Sequence, residues 1–254
     1  MSSAHARSWE TLDAGRIYEH GRPDYPASLT RLLSHDARLG PGSVVADVAA
    51  GTGKLTRVLA SGPARVVAVE PMPGMRAQLR QAAPSVPVLA ASAEQLPFAT
   101  GSLDVVTVAQ AFHWFRVDEA SRELHRVLTP TGHLVLVSNT RDPDHELSRE
   151  LWDVLRDFER LAPRPESTRG WRAHLDRLGD FVSWRRHELA HEQVLESPAE
   201  LEARFTSISF VLLLDEADRG RLAAALHEVA GTDYPIHLPL RTLVDIGEPA
   251  PGRP

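Results

Sequence analysis

The amino-acid sequence predicts an α/β protein with a doubly wound, mostly parallel, seven-stranded sheet carrying helical lid additions at its N- and C-terminal ends. Three observations lead there. Apolar runs alternate with helical patterns from residue 43 to residue 138. Those runs are continuous rather than alternating with polar residues, as strands covered on both faces are. The run Val44-Val45-Ala46-Asp47-Val48 passes through the small-residue turn Ala49-Ala50-Gly51-Thr52-Gly53 into a helical pattern with Leu55, Val58 and Leu59 on one face. A second run, Val66-Val67-Ala68-Val69, then ends in Glu70. Such a β-turn-α-β unit lets backbone approach a polar ligand closely, and its terminal carboxylate can hold a ribose.

The elements follow in order. Residues 1–40 carry scattered aromatics, the turn Arg22-Pro23-Asp24-Tyr25-Pro26, and a helix with Ser28 as cap and Leu29, Leu32 and Leu33 on one face. Pro41-Gly42 marks a turn before the first strand. Strands are expected at 43–48, 65–70, 86–90, 103–109 and 133–138, and helices at 53–60, 73–82 and 117–128. The regularity breaks after Asn139. Residues 141–180 are charged and interrupted by Pro143, Pro163 and Pro165, with Leu151, Val154, Leu155 and Phe158 at helical spacing. A strand is expected at 181–195, two helices within 198–230 and a last strand at 236–246, before a Pro/Gly tail at 247–254.

Composition narrows the class. The 254 residues are 43% hydrophobic and 24% charged, which suits a soluble globular chain with a sizeable core. Twenty-eight basic residues against 34 acidic ones leave a net charge of -6 without a basic stripe, so a nucleic-acid partner is not expected. The absence of Cys removes disulfides, thiolate nucleophiles and Cys-based metal sites. Residues Met1 to Glu10 are polar and lack the apolar core of a secretory signal. The aliphatic run Val211 to Leu214 is far too short to span a bilayer. The expectation is a cytoplasmic protein with no membrane partner; oligomeric state is not readable.

The glycine loop excludes two phosphate-binding readings. A P-loop needs Ser or Thr after Gly-Lys, but Leu55 follows Gly53-Lys54, and Val48 stands where its first Gly belongs. The dinucleotide fingerprint is also incomplete, because Thr56 occupies the position of its third Gly. Glu70 by itself could serve either kind of cofactor.

The loop from Asp47 to Thr56, with Glu70, resembles the cofactor site of class I S-adenosylmethionine-dependent methyltransferases with a Rossmann-like sheet, and more narrowly the methyltransferase-11 type of the bacterial small-molecule branch. Further matches fall in the family's order. Ser92-Ala93-Glu94-Gln95-Leu96-Pro97-Phe98 is similar to the adenine-side loop, usually Asp-Ala-Glu-x-Leu-Pro-Phe. Leu103-Asp104-Val105-Val106 begins the fourth strand and leads to Gln110-Ala111-Phe112-His113-Trp114-Phe115. Arg126-Val127-Leu128-Thr129-Pro130-Thr131-Gly132 resembles the turn before strand five, and Tyr18-x-x-x-Arg22-Pro23-x-Tyr25-Pro26 an upstream element. The resemblance covers about residues 10–140.

It implies S-adenosyl-L-methionine as cofactor and transfer of a methyl group to O, N or C of a small-molecule acceptor. Gly51 and Gly53, within Ala49-Ala50-Gly51-Thr52-Gly53, would admit the methionine part, while Asp47 orients the loop and reaches the ammonium. Glu70 would bind the ribose, with Pro71 and Met72 beside the adenine and Ser92, Ala93 and Glu94 along its edge. Gln110 would sit near the sulfonium, and Tyr18 and Arg22 would close over the methionine end. Two positions depart from the family. Ala49 replaces its first Gly, setting the loop slightly further from the ligand, and Ser92 replaces an Asp, removing a charged acceptor.

His113 follows the fourth strand and is the candidate general base, or else a wall residue that orients substrate. Phe112, Trp114 and Phe115 are read as pocket wall or core, and Asn139 to Asp142 as facing the pocket or capping the insertion. No metal site is expected, since His187 and His191 lack clustered acids at ligand spacing. The resulting division is an N-terminal lid (1–40), a cofactor-binding core (41–140), a helical insertion over the active site (141–180) carrying Trp152 and Trp171, and a C-terminal completion of the sheet (181–254). Two alternatives stay open: a cofactor-binding protein without methyl transfer, acting as scaffold or rearrangement catalyst, and a nicotinamide-dependent oxidoreductase.

Overall fold

The computed structural model describes residues 12–161 and 178–251. Its elements are α1 (Leu12–Gly21), α2 (Ser28–Asp36), β1 (Val44–Val48), α3 (Lys54–Ala60), β2 (Arg65–Val69), α4 (Pro73–Ala82), β3 (Val88–Leu89), β4 (Leu103–Ala109) and α5 (Val117–Val127). They continue as β5 (Leu128–Arg141), α6 (Glu146–Glu159), β6 (Phe181–Leu195), α7 (Pro198–Thr206), α8 (Glu216–Ala230) and β7 (Ile236–Pro249), with single 3-10 turns at Phe112–Trp114 and Val211–Leu213. No described helix is long and apolar enough to cross a membrane.

The seven strands lie in the order β3-β2-β1-β4-β5-β7-β6. The first five are mutually parallel; β7 runs antiparallel to β5, and β6 antiparallel to β7. Side chains alternate faces along each strand, so the continuous apolar runs feed two cores. Val45, Val105 and Val135 meet Leu29, Leu33, Leu55 and Leu59 on one side. Ala46, Val48, Val106 and Val108 meet Leu124 and Val127 on the other. A third cluster joins α6, α7, α8 and β7 through Leu151, Phe205, Leu222 and Ile236.

Some expected boundaries shift for local reasons. Ser28 is the first residue of α2 rather than its cap: the cap position is Ala27, which offers no side-chain bond, and the Pro26 carbonyl receives the Leu29 N–H instead. The strand expected at 86–90 keeps only Val88–Leu89, because Pro87 has no N–H to give the ladder. Strand five is longer than 133–138, running to Arg141, because β7 pairs with it antiparallel from Leu134 to Arg141. Asn139, Thr140 and Arg141 therefore sit on a strand end rather than in a loop.

Helix α1 is seated by glycines. A Cβ on Gly21 would collide with the Ala203 carbonyl of α7, and one on Gly15 would lie 3.1 Å from the Gly74 carbonyl of α4. Only bare backbone fits so closely between two helices. That seating carries Tyr18 and Arg22 over the carboxyl ends of the strands.

Candidate active site: two joined cavities

The chain leaves β1 toward β2 on one side and reaches β4 on the other, so the sheet order reverses between β1 and β4. Ligands of such sheets bind in the crevice outside the strand ends at that point. A cleft lies there, walled by Ala49 and Gly51 after β1, Glu70, Pro71 and Met72 after β2, and Gln110, Trp114 and Phe115 after β4. Ser92, Ala93 and Glu94 complete one side, and Tyr18 of α1 covers it.

Glu70 anchors this cleft. Its Oε2 accepts the Gly51 N–H at 2.8 Å and its Oε1 the Met72 N–H at 2.8 Å, while Arg76 donates to the Glu70 and Pro71 carbonyls. Burial pushes its carboxyl up to about 7, against the pull of those two N–H donors and of Arg76. Both oxygens keep lone pairs for further donors, as a ribose diol would supply. The turn that delivers Gly51 is built from left-handed residues: φ is 55° at Ala49, 59° at Gly51 and 91° at Gly53. A Cβ on Gly51 would meet nothing within 4 Å, so its open side is a cradle, whereas one on Gly53 would press on Leu79 at 3.0 Å. Gly51 leaves space for a ligand and Gly53 for helix packing.

Beside the cleft lies a second cavity of about 400 Å³ that shares Tyr18 and Gln110 with it. Its floor comes from the end of β5, with Asn139, Thr140 and Arg141; Arg22 and Tyr25 form one wall and Trp152 and Arg204 another. A hydrogen-bonded chain fixes the wall to the floor. Gln110, itself at φ 53°, donates its amide to the Asn139 carbonyl at 2.8 Å. Asn139 donates to the Asp24 carbonyl at 3.0 Å and accepts from Thr242 at 2.6 Å. Asp24 in turn receives Lys54 and Arg57, each at 3.0 Å, from α3. The Pro-containing turn is thus held by both the sheet and the helix after the glycine loop.

A sequence model described as a methyltransferase domain matches residues 46–136. An uncharacterised methyltransferase-like protein of Schizosaccharomyces pombe is 35% identical over 217 residues, spanning 85% of this chain and 83% of the relative. The chain belongs to the class I methyltransferase family. An uncharacterised methyltransferase of Mycobacterium tuberculosis is 45% identical over 139 residues, 54% of this chain and 55% of its own length. Among solved structures, a candidate type II methyltransferase of Anaeromyxobacter dehalogenans has a TM-score of 0.66 at 25% identity, covering 89% of this chain and 97% of the other.

For a class I methyltransferase the placement of the expected residues is instructive. Tyr18, Ala49, Gly51, Glu70, Pro71 and Met72 face one cleft, together with Ser92, Ala93, Glu94 and Gln110. Glu94 also receives the Arg116 N–H at 3.0 Å and so serves the start of α5. Arg22 faces the second cavity and donates to the Ser207 carbonyl. Asp47 lines neither cavity: it is fully buried, with Thr56 donating to one oxygen at 2.6 Å and Thr107 to the other at 2.8 Å. Burial lifts it to about 6 despite those bonds. Beside the ammonium contact expected of it, Asp47 ties β1 to α3 and β4. Ala50 and Gly53 support the loop from behind, through the Gly53 N–H to the Ala50 carbonyl at 3.0 Å. His113 lies in the 3-10 turn against Trp114, ring centroids 4.7 Å apart, and lines neither cavity. Trp171 lies outside the described residues.

Sequence reasoning did not single out Lys54 or Arg204 as site residues. Arg204 is 6% exposed, and its guanidinium, pulled down to about 9 chiefly by burial and then by Arg22, still carries its charge at neutral pH. The available signal was an Arg at a position that α7 otherwise fills with core residues, Leu201 and Phe205.

Proposed function

We propose that this chain is an S-adenosylmethionine-dependent methyltransferase that transfers a methyl group to an O, N or C atom of a small-molecule acceptor. The observation carrying that reading is the pair of cavities meeting at Tyr18 and Gln110. A cleft suited to a nucleoside and a chamber suited to a small acceptor lie side by side, with Tyr18 and Gln110 lining both. S-adenosylmethionine, when bound, supplies a sulfonium-activated methyl group.

The residues present fit that cofactor. Glu70 offers acceptor oxygens at a strand end, Gly51 leaves its α-carbon side open, and Pro71, Met72 and Trp114 give apolar surface for a flat base. Gln110, tied to Asn139, holds the junction between the chambers at a fixed position. The chain's contribution is then to align the acceptor with the methyl and to keep water away. Aromatic and guanidinium groups around Tyr18, Tyr25 and Trp152 serve the second task. His113, outside both linings and packed against Trp114, would act on the reaction indirectly.

Conversion of S-adenosylmethionine to S-adenosylhomocysteine, followed by mass spectrometry across a panel of small acceptors, tests the proposal. Acceptor-dependent product is expected. Binding of the cofactor with no acceptor giving turnover would favour a binding protein instead, and a preferred thermal shift with a nicotinamide cofactor would overturn the reading.

A further inference from the structure

The second cavity is cationic, and among the described residues no carboxylate or imidazole lines it. Arg22, Arg141 and Arg204 line it, together with Lys54. Lys54 is already neutralised by Asp24 at 3.0 Å and Glu19 at 3.8 Å. Arg22 donates to the Ser207 carbonyl, whereas Arg141 and Arg204 keep unused donors. Arg204 Nε and Nη1 and Arg141 Nη1 are buried with no hydrogen-bond partner among the described residues. Their guanidinium carbons lie over the same ring, Trp152, at 5.8 and 5.5 Å. Two positive groups gathered around one aromatic ring with unused donors are costly unless an anion joins them. A guanidinium presents a planar fork matched to a carboxylate.

We propose that the cavity receives a small polycarboxylate, one carboxylate held by Arg141 and Arg204 and a second presented at the Tyr18–Gln110 junction, where it is methylated on oxygen. The inference rests on the methyltransferase reading and deepens it. A carboxylate oxygen needs no base: its lone pair forms the O–CH3 bond, the S–CH3 bond breaks with its electron pair going to sulfur, and the sulfonium becomes a neutral thioether. No proton moves. Tyr18 and Tyr25 are held above the usual phenol range by burial, so they stay neutral and act as donors rather than bases. An ammonium acceptor would have to lose a proton and enter against three guanidiniums. The reacting carboxylate must also differ from the anchored one, because a guanidinium fork would draw away the electron density the attack uses.

The test uses the full chain with methyl-labelled S-adenosylmethionine and succinate, glutarate and citrate as acceptors, against acetate, ethylamine and phenol. Methyl esters release the label as methanol in mild base. Base-labile product from the polycarboxylates, at least tenfold faster than from acetate, is expected. Arg141→Met, at a half-buried position, and Arg204→Met should each raise the polycarboxylate KM tenfold or more while leaving the Kd for S-adenosylhomocysteine within twofold. Base-stable product, or preference for the amine or phenol, overturns the proposal. So does an equal loss of S-adenosylhomocysteine affinity in the Arg variants, which would give the guanidiniums to the cofactor's own carboxylate. Thermal shift of the protein saturated with S-adenosylhomocysteine separates this inference from the activity on which it rests. Stabilisation by glutarate that disappears in Arg141→Met supports the anion site even without turnover, and its absence in the wild type contradicts it.

Discussion

The Gly51 N–H donates to the Glu70 carboxylate at 2.8 Å, joining the turn after β1 to the end of β2 across 19 residues of sequence. Because burial holds that carboxyl at about 7, its charge changes near neutral pH. Ribose hydroxyls donate to the ionised form, so binding lowers the pKa and is strongest where Glu70 is already ionised. Affinity for S-adenosylhomocysteine should be constant above about pH 7.5 and fall up to roughly tenfold per pH unit below 7. Calorimetry across that range checks it, and Glu70→Gln should remove the slope. A flat wild-type profile would count against Glu70 as the ribose acceptor.

Asp47 receives Thr107 on one oxygen and Thr56 on the other. Thr107→Val keeps the shape and removes one donor from a fully buried carboxylate. The cost should be about 1–3 kcal/mol of unfolding free energy. Losing the bond also pushes the carboxyl above its present value of about 6. The deficit should therefore be larger at about pH 8, where Asp47 is ionised, than at about pH 5, where it is protonated. Urea unfolding at both pH values measures it, and an equal deficit would contradict this account of Asp47.

Ala49 takes φ 55°, a left-handed conformation that costs a Cβ-bearing residue roughly 1 kcal/mol. Ala49 also lines the cleft beside Gly51 and Glu70. Ala49→Gly relieves that strain but loosens the unfolded chain, offsets of similar size. Stability should change by less than about 1 kcal/mol, whereas cofactor affinity should rise as the cleft widens. A weaker binder with an unchanged melting temperature would mean that the methyl group makes a favourable contact.

Gly21 has no room for a side chain against the Ala203 carbonyl, while Gly220 of α8 has open space around its α-carbon. Gly21→Ala should cost about 1–3 kcal/mol and displace α1, carrying Tyr18 and Arg22 away from the junction. Gly220→Ala should be neutral or stabilising by about 0.5–1 kcal/mol. Thermal melts of the two variants, read beside cofactor binding, distinguish packing from propensity. Equal melting temperatures would contradict the close α1–α7 contact.

Local features were the legible ones. The turn from Ala49 to Gly53, Glu70, and the Ser92-to-Glu94 loop each lie within a few residues of a strand end, so strand pattern pointed to the first two and family resemblance to the third. The bond that holds Asp47 comes from Thr107, 60 residues away, across a strand pairing that no local spacing reveals. The second cavity was harder still. Arg22 meets the Ser207 carbonyl across 185 residues, and Arg204 reaches the same chamber only because α1 is pressed onto α7 through Gly21. The long antiparallel pairing of β5 with β7 likewise turned Asn139 to Arg141 into strand, fixing a floor that reads in sequence as the start of an irregular insertion.

The central claim is that the cleft around Glu70 and Gly51 binds the methyl donor's adenosyl group. Isothermal calorimetry of S-adenosylhomocysteine against the wild-type chain and against Glu70→Ala tests it most directly. The account predicts saturable binding at one site per chain, weakened at least about tenfold in the variant by loss of charge-assisted hydrogen bonds, with the variant still folded by circular dichroism. No binding heat in the wild type, or equal affinity in a folded Glu70→Ala protein, would contradict it.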